Sequence, residues 1–318
     1  MGRLRFSALC ASFLLCASCS SPYGAPVRVI VPKGATFGVA TDSLHKAGLV
    51  GSSSFFKLYA RFKRTDRNIK PGTYLIKRGT PWNEILAALH GGHGLVNTIT
   101  IPEGFTLAQI VPLLAQTLSV PVDSVNAAVA DTAMINRLGV HATNLEGYLF
   151  PDTYAFPDGT RARDAVLEMV KRFEREWKPE WNQRLTQLGL NRHQVVTLAS
   201  IVEREAKIPA ERPVIAGVYL NRLGKNMLLQ ADPTVQYARR QHTARVLLKD
   251  LEIDSPYNTY KYPGLPPGPI ASPGGPSLVA ALYPANVPFL YFVAAPDGHH
   301  EFRKTLEEHE QAVRSVRK

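Results

Sequence analysis

Residues Asn191–Ala206 read NRHQVVTLASIVEREA. Asn191 can cap a helix, and Gln194 sits three residues on, the spacing of a capping box. Val195, Leu198, Ala199, Ile201, Val202 and Ala206 recur at helical spacing and form one broad apolar stripe. Such a helix belongs in a core, and the rest of the chain is expected to organise around it. Two carboxylates stand near its end, Glu203 and Glu205. At about 100° per residue, Glu205 falls roughly 60° from the centre of the stripe, and Glu203 roughly 100° away on the other flank. Val196 shares that second flank, so the contrast is modest, but it makes Glu205 the carboxyl expected to press against apolar surface. A carboxyl desolvated in this way has a raised pKa and stays protonated near neutrality, as suits a general acid. Most glutamates on helices are simply solvated, so this pattern alone leaves the role open.

Outward from this helix, helical patterns dominate from Leu107 to Gly224. Val166, Met169, Val170, Phe173 and Trp177 mark a long amphipathic helix before it. Pro209 or Pro213 opens the next, through Val214, Val218 and Leu220 to Leu223. Between these lie polar stretches with neither a helical nor a strand period: EGYLFPDTY at 146–154, QADPTV at 230–235, and SPYNTY at 255–260 followed by GLPPGPI at 264–270. Aromatic faces beside amides and hydroxyls suit sugar rings, which stack on the face and hydrogen-bond at the edge. Glu146, Tyr148, Gln230, Asp232, Thr234, Tyr257, Asn258 and Tyr260 are therefore candidate sugar contacts. The alternative is that they only pin irregular loops. Asp232 is the obvious second acid, although before Pro233 it can equally cap a loop. Phe289–Val293 and Glu301-Phe302, joined across Pro296-Asp297-Gly298, read as a β-hairpin. Thr305 with Glu308 caps a final helix.

The N-terminal third reads differently. Val27–Val31 is a β-branched strand, and Phe37, Ala40, Leu44 and Ala47 follow at helical spacing up to Gly48. Ser52–Ser54 can cap a second helix carrying Phe55, Phe56, Leu58, Tyr59 and Phe62. A Lys70-Pro71-Gly72 turn leads into a strand at Thr73–Ile76, and Pro81-Trp82 opens a further helix ended by Gly91-Gly92. This βααβ order resembles a small LysM-type module, a kind that often binds N-acetylated glycans; it also fits a plain spacer. An echo links Val29–Gly34 to Ile99–Gly104: each is a strand, then Pro-x-Gly, then a helix. Two copies are too few for a solenoid and read as two related units.

Hydrophobic residues make up 45% of the 318, enough for a proper core. The net charge of +11 suits an acidic polymer or an anionic membrane. No Lys/Arg block interleaved with aromatics appears, which argues against nucleic acid. Arg3 and Arg5 precede an apolar run, Phe6 to Ala17, that has the form of a secretory signal and is short for a membrane span. All three cysteines, Cys10, Cys16 and Cys19, lie in this run or at its end, so the exported part must fold without internal disulfides. Cys16–Cys19 resembles a bacterial lipoprotein box with Cys19 as the lipidated residue, although Cys16 stands where the box commonly has Leu. Cleavage further on and an uncleaved short anchor are the rival readings. Ser20–Pro26 is a short tether. His299-His300 and His309 lack a recognised zinc spacing, and neither a nucleophile elbow nor a P-loop occurs. No metal or cofactor is expected.

Taken together and in order, EGYLFPDTY, ASIVERE, the NRL…LLQADPTVQY run, SPYNTY…GLPPGPI and YFVAAPDGHHEF resemble the motifs of the YceG-like endolytic murein transglycosylases, over about residues 27–318. The resemblance implies an α+β chain. Residues 1–19 would be a signal or lipoprotein-type anchor, 20–26 a tether, 27–95 a LysM-like module, and 96–318 a mainly helical catalytic domain with long ordered loops and a C-terminal β-hairpin. It implies that Glu205, the second glutamate of the IVExE segment, is the catalytic acid. The bond between N-acetylmuramic acid and N-acetylglucosamine would break with formation of a 1,6-anhydro end. The place implied is the outward, periplasmic face of the bacterial inner membrane, near peptidoglycan synthases such as penicillin-binding proteins. Family members usually begin with a transmembrane helix, and the lipobox-like start here departs from that. Two other readings remain: a muramidase using Glu205 and Asp232 to add water, and a non-catalytic peptidoglycan-binding scaffold.

Overall fold

The computed structural model describes residues 24–92, 94–140, 142–240 and 246–316. Cys10, Cys16, Cys19 and the apolar run around them lie outside the described residues. Among the described residues, no helix is long and apolar enough to cross a membrane. The chain divides into two compact units, with the division at Val96/Asn97.

The first unit runs β1 (Pro26–Val31), α1 (Phe37–Lys46), α2 (Ser53–Phe62), β2 (Gly72–Lys77), α3 (Trp82–Gly91) and the start of β3 (Leu95–Thr100). β1 pairs antiparallel with β2, from Pro26 opposite Lys77 to Val31 opposite Gly72. β2 continues onto β3 through Thr73–Val96 and Tyr74–Leu95. Side chains alternate across the pleat: Val29 and Val31 are buried, and Ile30 between them is exposed. The Thr36 and Ser52 side chains accept the third-residue N–H of α1 and α2, and Gly92, with φ of 75°, closes α3 in the left-handed region. Leu44, Phe56, Tyr74, Ile85 and Leu89 form the core. On α2, Phe56 is fully buried, whereas Phe55 (67%) and Phe62 (83%) face outward.

The second unit is mainly helical. α4 (Leu107–Leu118), α5 (Val122–Val129) and α6 (Thr132–Arg137) lead to a short strand β4 (Thr153–Pro157). α7 (Ala162–Glu176), α8 (Trp181–Leu188) and α9 (Arg192–Glu205) follow. A 3-10 turn, Pro209–Glu211, feeds α10 (Arg212–Gly224), which carries Pro213 in its first turn. Then come α11 (Asp232–Ala238), α12 (Gly275–Leu282), the hairpin β5 (Tyr291–Ala294) and β6 (His300–Arg303), and α13 (Leu306–Val316). The hairpin pairs Tyr291 with Arg303 through to Ala294 with His300. Glu308 N–H donates to the Thr305 hydroxyl and Thr305 N–H to the Glu308 carboxylate, the reciprocal cap expected at α13.

α9 is the centre of this unit. Its capping box is formed: Gln194 N–H donates to Asn191 Oδ1 and Asn191 N–H to Gln194 Oε1, both at 2.9 Å. Burial is wider than the stripe, because every residue from Val195 to Val202 is enclosed. α8, α10, α11 and α12 all pack on it. The polar members of that run find partners at once. Thr197 donates to the His193 carbonyl, and Ser200 donates to the Thr197 carbonyl while accepting from Ile270 N–H.

Two stretches read as aperiodic run into regular elements. The end of EGYLFPDTY enters a strand, Thr153–Pro157. Asp232–Ala238 is a helix, started by Pro233 at a position where no N–H is needed. Gly275–Leu282, in the Pro/Gly-rich last third, is a helix with Ser277, Leu278 and Ala280–Leu282 buried. Its first residues, Gly275 and Pro276, read in the sequence as a turn signal, which hides the helix that follows.

Candidate active site

The C-terminus of α9 opens onto a cleft of about 360 Å³. Glu205, its last residue, lines this cleft. From α10 come Tyr219 and Arg222; from the following segment, Leu229, Gln230 and Asp232; from the loop beyond, Tyr260. The hairpin adds Phe292, Ala294 and His300, and α13 adds His309.

Glu205 is partly exposed, yet protein surrounds its carboxyl closely enough that desolvation raises the pKa to about 7. The negative charge of Asp232 pushes the same way. The Tyr219 hydroxyl, donating to Oε1 at 2.7 Å, and the Arg204 guanidinium oppose it. A carboxyl at about 7 is populated in both protonation states near neutrality, so it can give a proton and take one back. Tyr219 itself is 1% exposed and packs edge-on against Phe292 at 5.7 Å.

Arg222 shapes the wall. It is 8% exposed, and its guanidinium donates to the carbonyls of Leu228, Leu229 and Leu290. This ties the 228–230 segment to the hairpin. Gln230 then adopts φ of 51°, the left-handed region, with its N–H on the Thr259 carbonyl. A non-glycine residue held there is strained, and such strain concentrates at working sites. Asp232 projects at the edge, where its Oδ1 accepts from Tyr260 Oη at 2.6 Å.

Of the candidate sugar contacts, Gln230, Asp232 and Tyr260 line the cleft with Glu205. The others are used elsewhere. Thr234 is fully buried; its hydroxyl donates to the Ala231 carbonyl and meets the Thr259 hydroxyl, locking the turn before α11. Asn258 is fully buried and donates to the Leu251 and Ile253 carbonyls. Tyr257 lies half-buried against the Tyr237 ring at 4.8 Å. Tyr148 is fully enclosed, its hydroxyl 2.8 Å from His193 Nδ1, and burial pushes its pKa up. Glu146, 5% exposed, receives the Leu107 N–H at the start of α4 and the Tyr237 hydroxyl. Aperiodic polar loops contain both kinds of residue, and composition cannot separate those that line a cleft from those that pin its walls.

Glu203 also departs from its helical-wheel placement. Its side chain is 6% exposed, 3.3 Å from the Arg212 guanidinium, and it accepts the Gly274 N–H at 3.0 Å. The Glu103 carboxylate occupies the space a Cβ at Gly274 would need, so glycine permits that approach. Tyr219, Arg222, His300 and Glu211 were not singled out by sequence reasoning as glycan contacts. Tyr219 and Arg222 sit in a helical run that reads as ordinary core.

Comparison with known proteins places the chain in a family. A family model described as the YceG-like family matches residues 29–315. The chain is 38% identical over 302 residues to a Bacillus subtilis (strain 168) protein named endolytic murein transglycosylase, covering 90% of this chain and 83% of that one. Proteins of the same name from Streptococcus pneumoniae strains D39 and R6 are 31% and 30% identical over 320 residues. This chain spans 58% of their length. A 2.6 Å crystal structure of a yceG-like protein from Listeria monocytogenes aligns with a TM-score of 0.66 at 34% identity, covering 90% of this chain and 98% of the other. With a match of that extent, in sequence and in fold, the chain belongs to the YceG-like family.

Proposed function

We propose that the protein is an endolytic murein transglycosylase that cleaves the bond between N-acetylmuramic acid and N-acetylglucosamine within peptidoglycan strands, with Glu205 as both acid and base. The observation that carries this is a glutamate at the wall of a cleft with only one oxygen engaged among the described residues, in a chain whose relatives bear that name.

Tyr219 engages Oε1, which leaves Oε2 to carry the proton. That proton passes to the bridging oxygen as the bond to the anomeric carbon breaks. Positive charge develops at this carbon, and the Asp232 carboxylate in the same cleft favours it electrostatically. The Glu205 carboxylate then takes the proton of the same sugar's 6-hydroxyl, whose oxygen closes onto the anomeric carbon as a 1,6-anhydro ring. Glu205 is left protonated, and no water is consumed. Gln230, Asp232 and Tyr260 supply hydrogen bonds to the glycan, while Glu146, Tyr148, Thr234, Tyr257 and Asn258 hold the loops behind them. The presence of Asp232 keeps one rival in view, a two-carboxylate muramidase, and the products separate them. Mass spectrometry of digested peptidoglycan should find anhydro-muramic ends; reducing ends would favour the muramidase.

In the same reading, the unit before Val96 is a LysM-like module that adds glycan affinity, supported by its βααβ order. Titration of that segment with peptidoglycan fragments tests it, and absence of binding would reduce it to a spacer. Cys19 carries the lipid that holds the chain at the periplasmic face of the inner membrane, beside peptidoglycan synthases. The support is the apolar run and small residues before it. Labelling with a palmitate analogue should mark the wild type and not Cys19→Ala.

A further inference from the structure

The cleft holds a second carboxylate-linked group that the reaction above does not use. His300 opens β6, and its ring lines the cleft with its side chain only 3% exposed. Glu211, at the end of the 3-10 turn before α10, grips it twice. The His300 backbone N–H donates to Oε1 at 3.0 Å, and Nδ1 lies 2.7 Å from Oε2. Phe292 packs edge-on against the ring at 5.2 Å and fixes its plane.

An ionised carboxylate only accepts, so the nitrogen facing it carries a proton. In the neutral ring this places the lone pair on Nε2. Nε2 has no hydrogen-bond partner among the described residues, and it is not sealed away from solvent. Around it in the cleft, Asp232 Oδ1 receives the Tyr260 hydroxyl, and the Arg222 guanidinium donates to main-chain carbonyls and to Gln230 Oε1. A ring in the cleft wall, oriented from behind by a carboxylate and with its other nitrogen unpartnered among the described residues, is arranged to meet a donor on whatever enters. A glycan offers hydroxyl donors in abundance.

We propose that His300, oriented by Glu211, is a substrate-contacting residue whose Nε2 accepts a hydrogen bond from a sugar hydroxyl in the Glu205 cleft. This rests on the reading of the cleft as a glycan site. Two substitutions, with His300→Ala as the full truncation, separate contact from scaffolding. His300→Asn keeps an amide near Nδ1 that can still donate to Glu211 but removes the Nε2 acceptor. His300→Gln reaches with an amide oxygen toward the Nε2 position but gives up the Glu211 bond. Each full-length variant is assayed on purified peptidoglycan strands by counting released ends, with thermal melting as the fold control.

His300→Asn should melt within a few degrees of wild type and lose at least tenfold in kcat/KM. His300→Gln should keep more activity, and added imidazole should restore part of the rate of His300→Ala. A His300→Asn variant within twofold of wild-type kcat/KM would overturn the proposal. So would losses that track lowered melting temperature in all three variants with no response to imidazole. The wild type in the same assay reports the underlying reading separately. Reducing ends in place of anhydro ends would overturn the transglycosylase assignment, while the Asn comparison would still decide whether His300 touches the sugar.

Discussion

At the start of α4, Glu146 receives the Leu107 N–H and the Tyr237 hydroxyl and is 5% exposed. At the end of α9, Glu205 receives the Tyr219 hydroxyl on one oxygen and lines an open cleft. Desolvation raises both carboxyls to a pKa of about 7. Perturbed ionisation therefore reports enclosure, which the two share, and not chemistry. The difference lies in what is left over. Both oxygens of Glu146 are engaged by the fold, so it serves as a cap; Glu205 has one oxygen engaged and lines the cleft.

The largest expected effect breaks this comparison if it fails. Glu205→Gln keeps shape and the Tyr219 contact but cannot cycle a proton. The rate of anhydro-end formation should fall by about 10²–10⁴. Glu146→Gln should leave it within a few fold. If the amide at 146 silenced the enzyme and the amide at 205 did not, the assignment of roles would be reversed.

Glu203 sharpens the contrast from within the same helix. It stands two residues before Glu205 but is closed in by Arg212, itself only 12% exposed, and by the Gly274 N–H. Removing one partner of a buried pair typically costs about 3–5 kcal/mol. Arg212 retains Glu103 at 3.8 Å, whose pKa is raised by burial and by Glu203, so the loss for Glu203→Ala belongs near the lower figure. Urea unfolding should register it, while activity per folded molecule stays close to wild type. A stable but inactive Glu203→Ala would place chemistry on the wrong carboxylate.

These residues also mark how much could be read beforehand. The capping box at Asn191, the helix to Glu205, the terminal hairpin and the cap at Thr305 depend on short-range spacing, which a sequence displays directly. The desolvation of Glu205 was legible because the apolar stripe runs up to it. The enclosure of Glu203 was not, because Arg212 and Gly274 reach it from outside the helix. Helix α12 was missed because its Gly275-Pro276 start reads as a turn. His300 and Glu211 stand 89 residues apart, and nothing local announces their pairing. Tertiary contact decides which polar loop residues face the cleft, so Gln230, Asp232 and Tyr260 could not be separated from Thr234 and Asn258 by composition.

The smallest effect is on the pH dependence of stability, and its sign follows from the direction of the shifts. Glu146 has a folded pKa of about 7 against an ordinary 4.5. Between those values the folded chain holds a proton that the unfolded chain has released. Stability therefore falls as pH rises through this window and levels off above it. The full shift corresponds to at most about 3 kcal/mol, and relaxation around the ionised group reduces that. Glu205 contributes a second decline of the same sign over the same range. An amide at either position should roughly halve their joint slope in unfolding free energy between about pH 5 and 7, and amides at both should remove it. The two sites should thus be interchangeable in stability while remaining opposite in activity. A slope untouched by Glu146→Gln would mean that Glu146 is not held near 7, and the likeness on which the comparison rests would be lost.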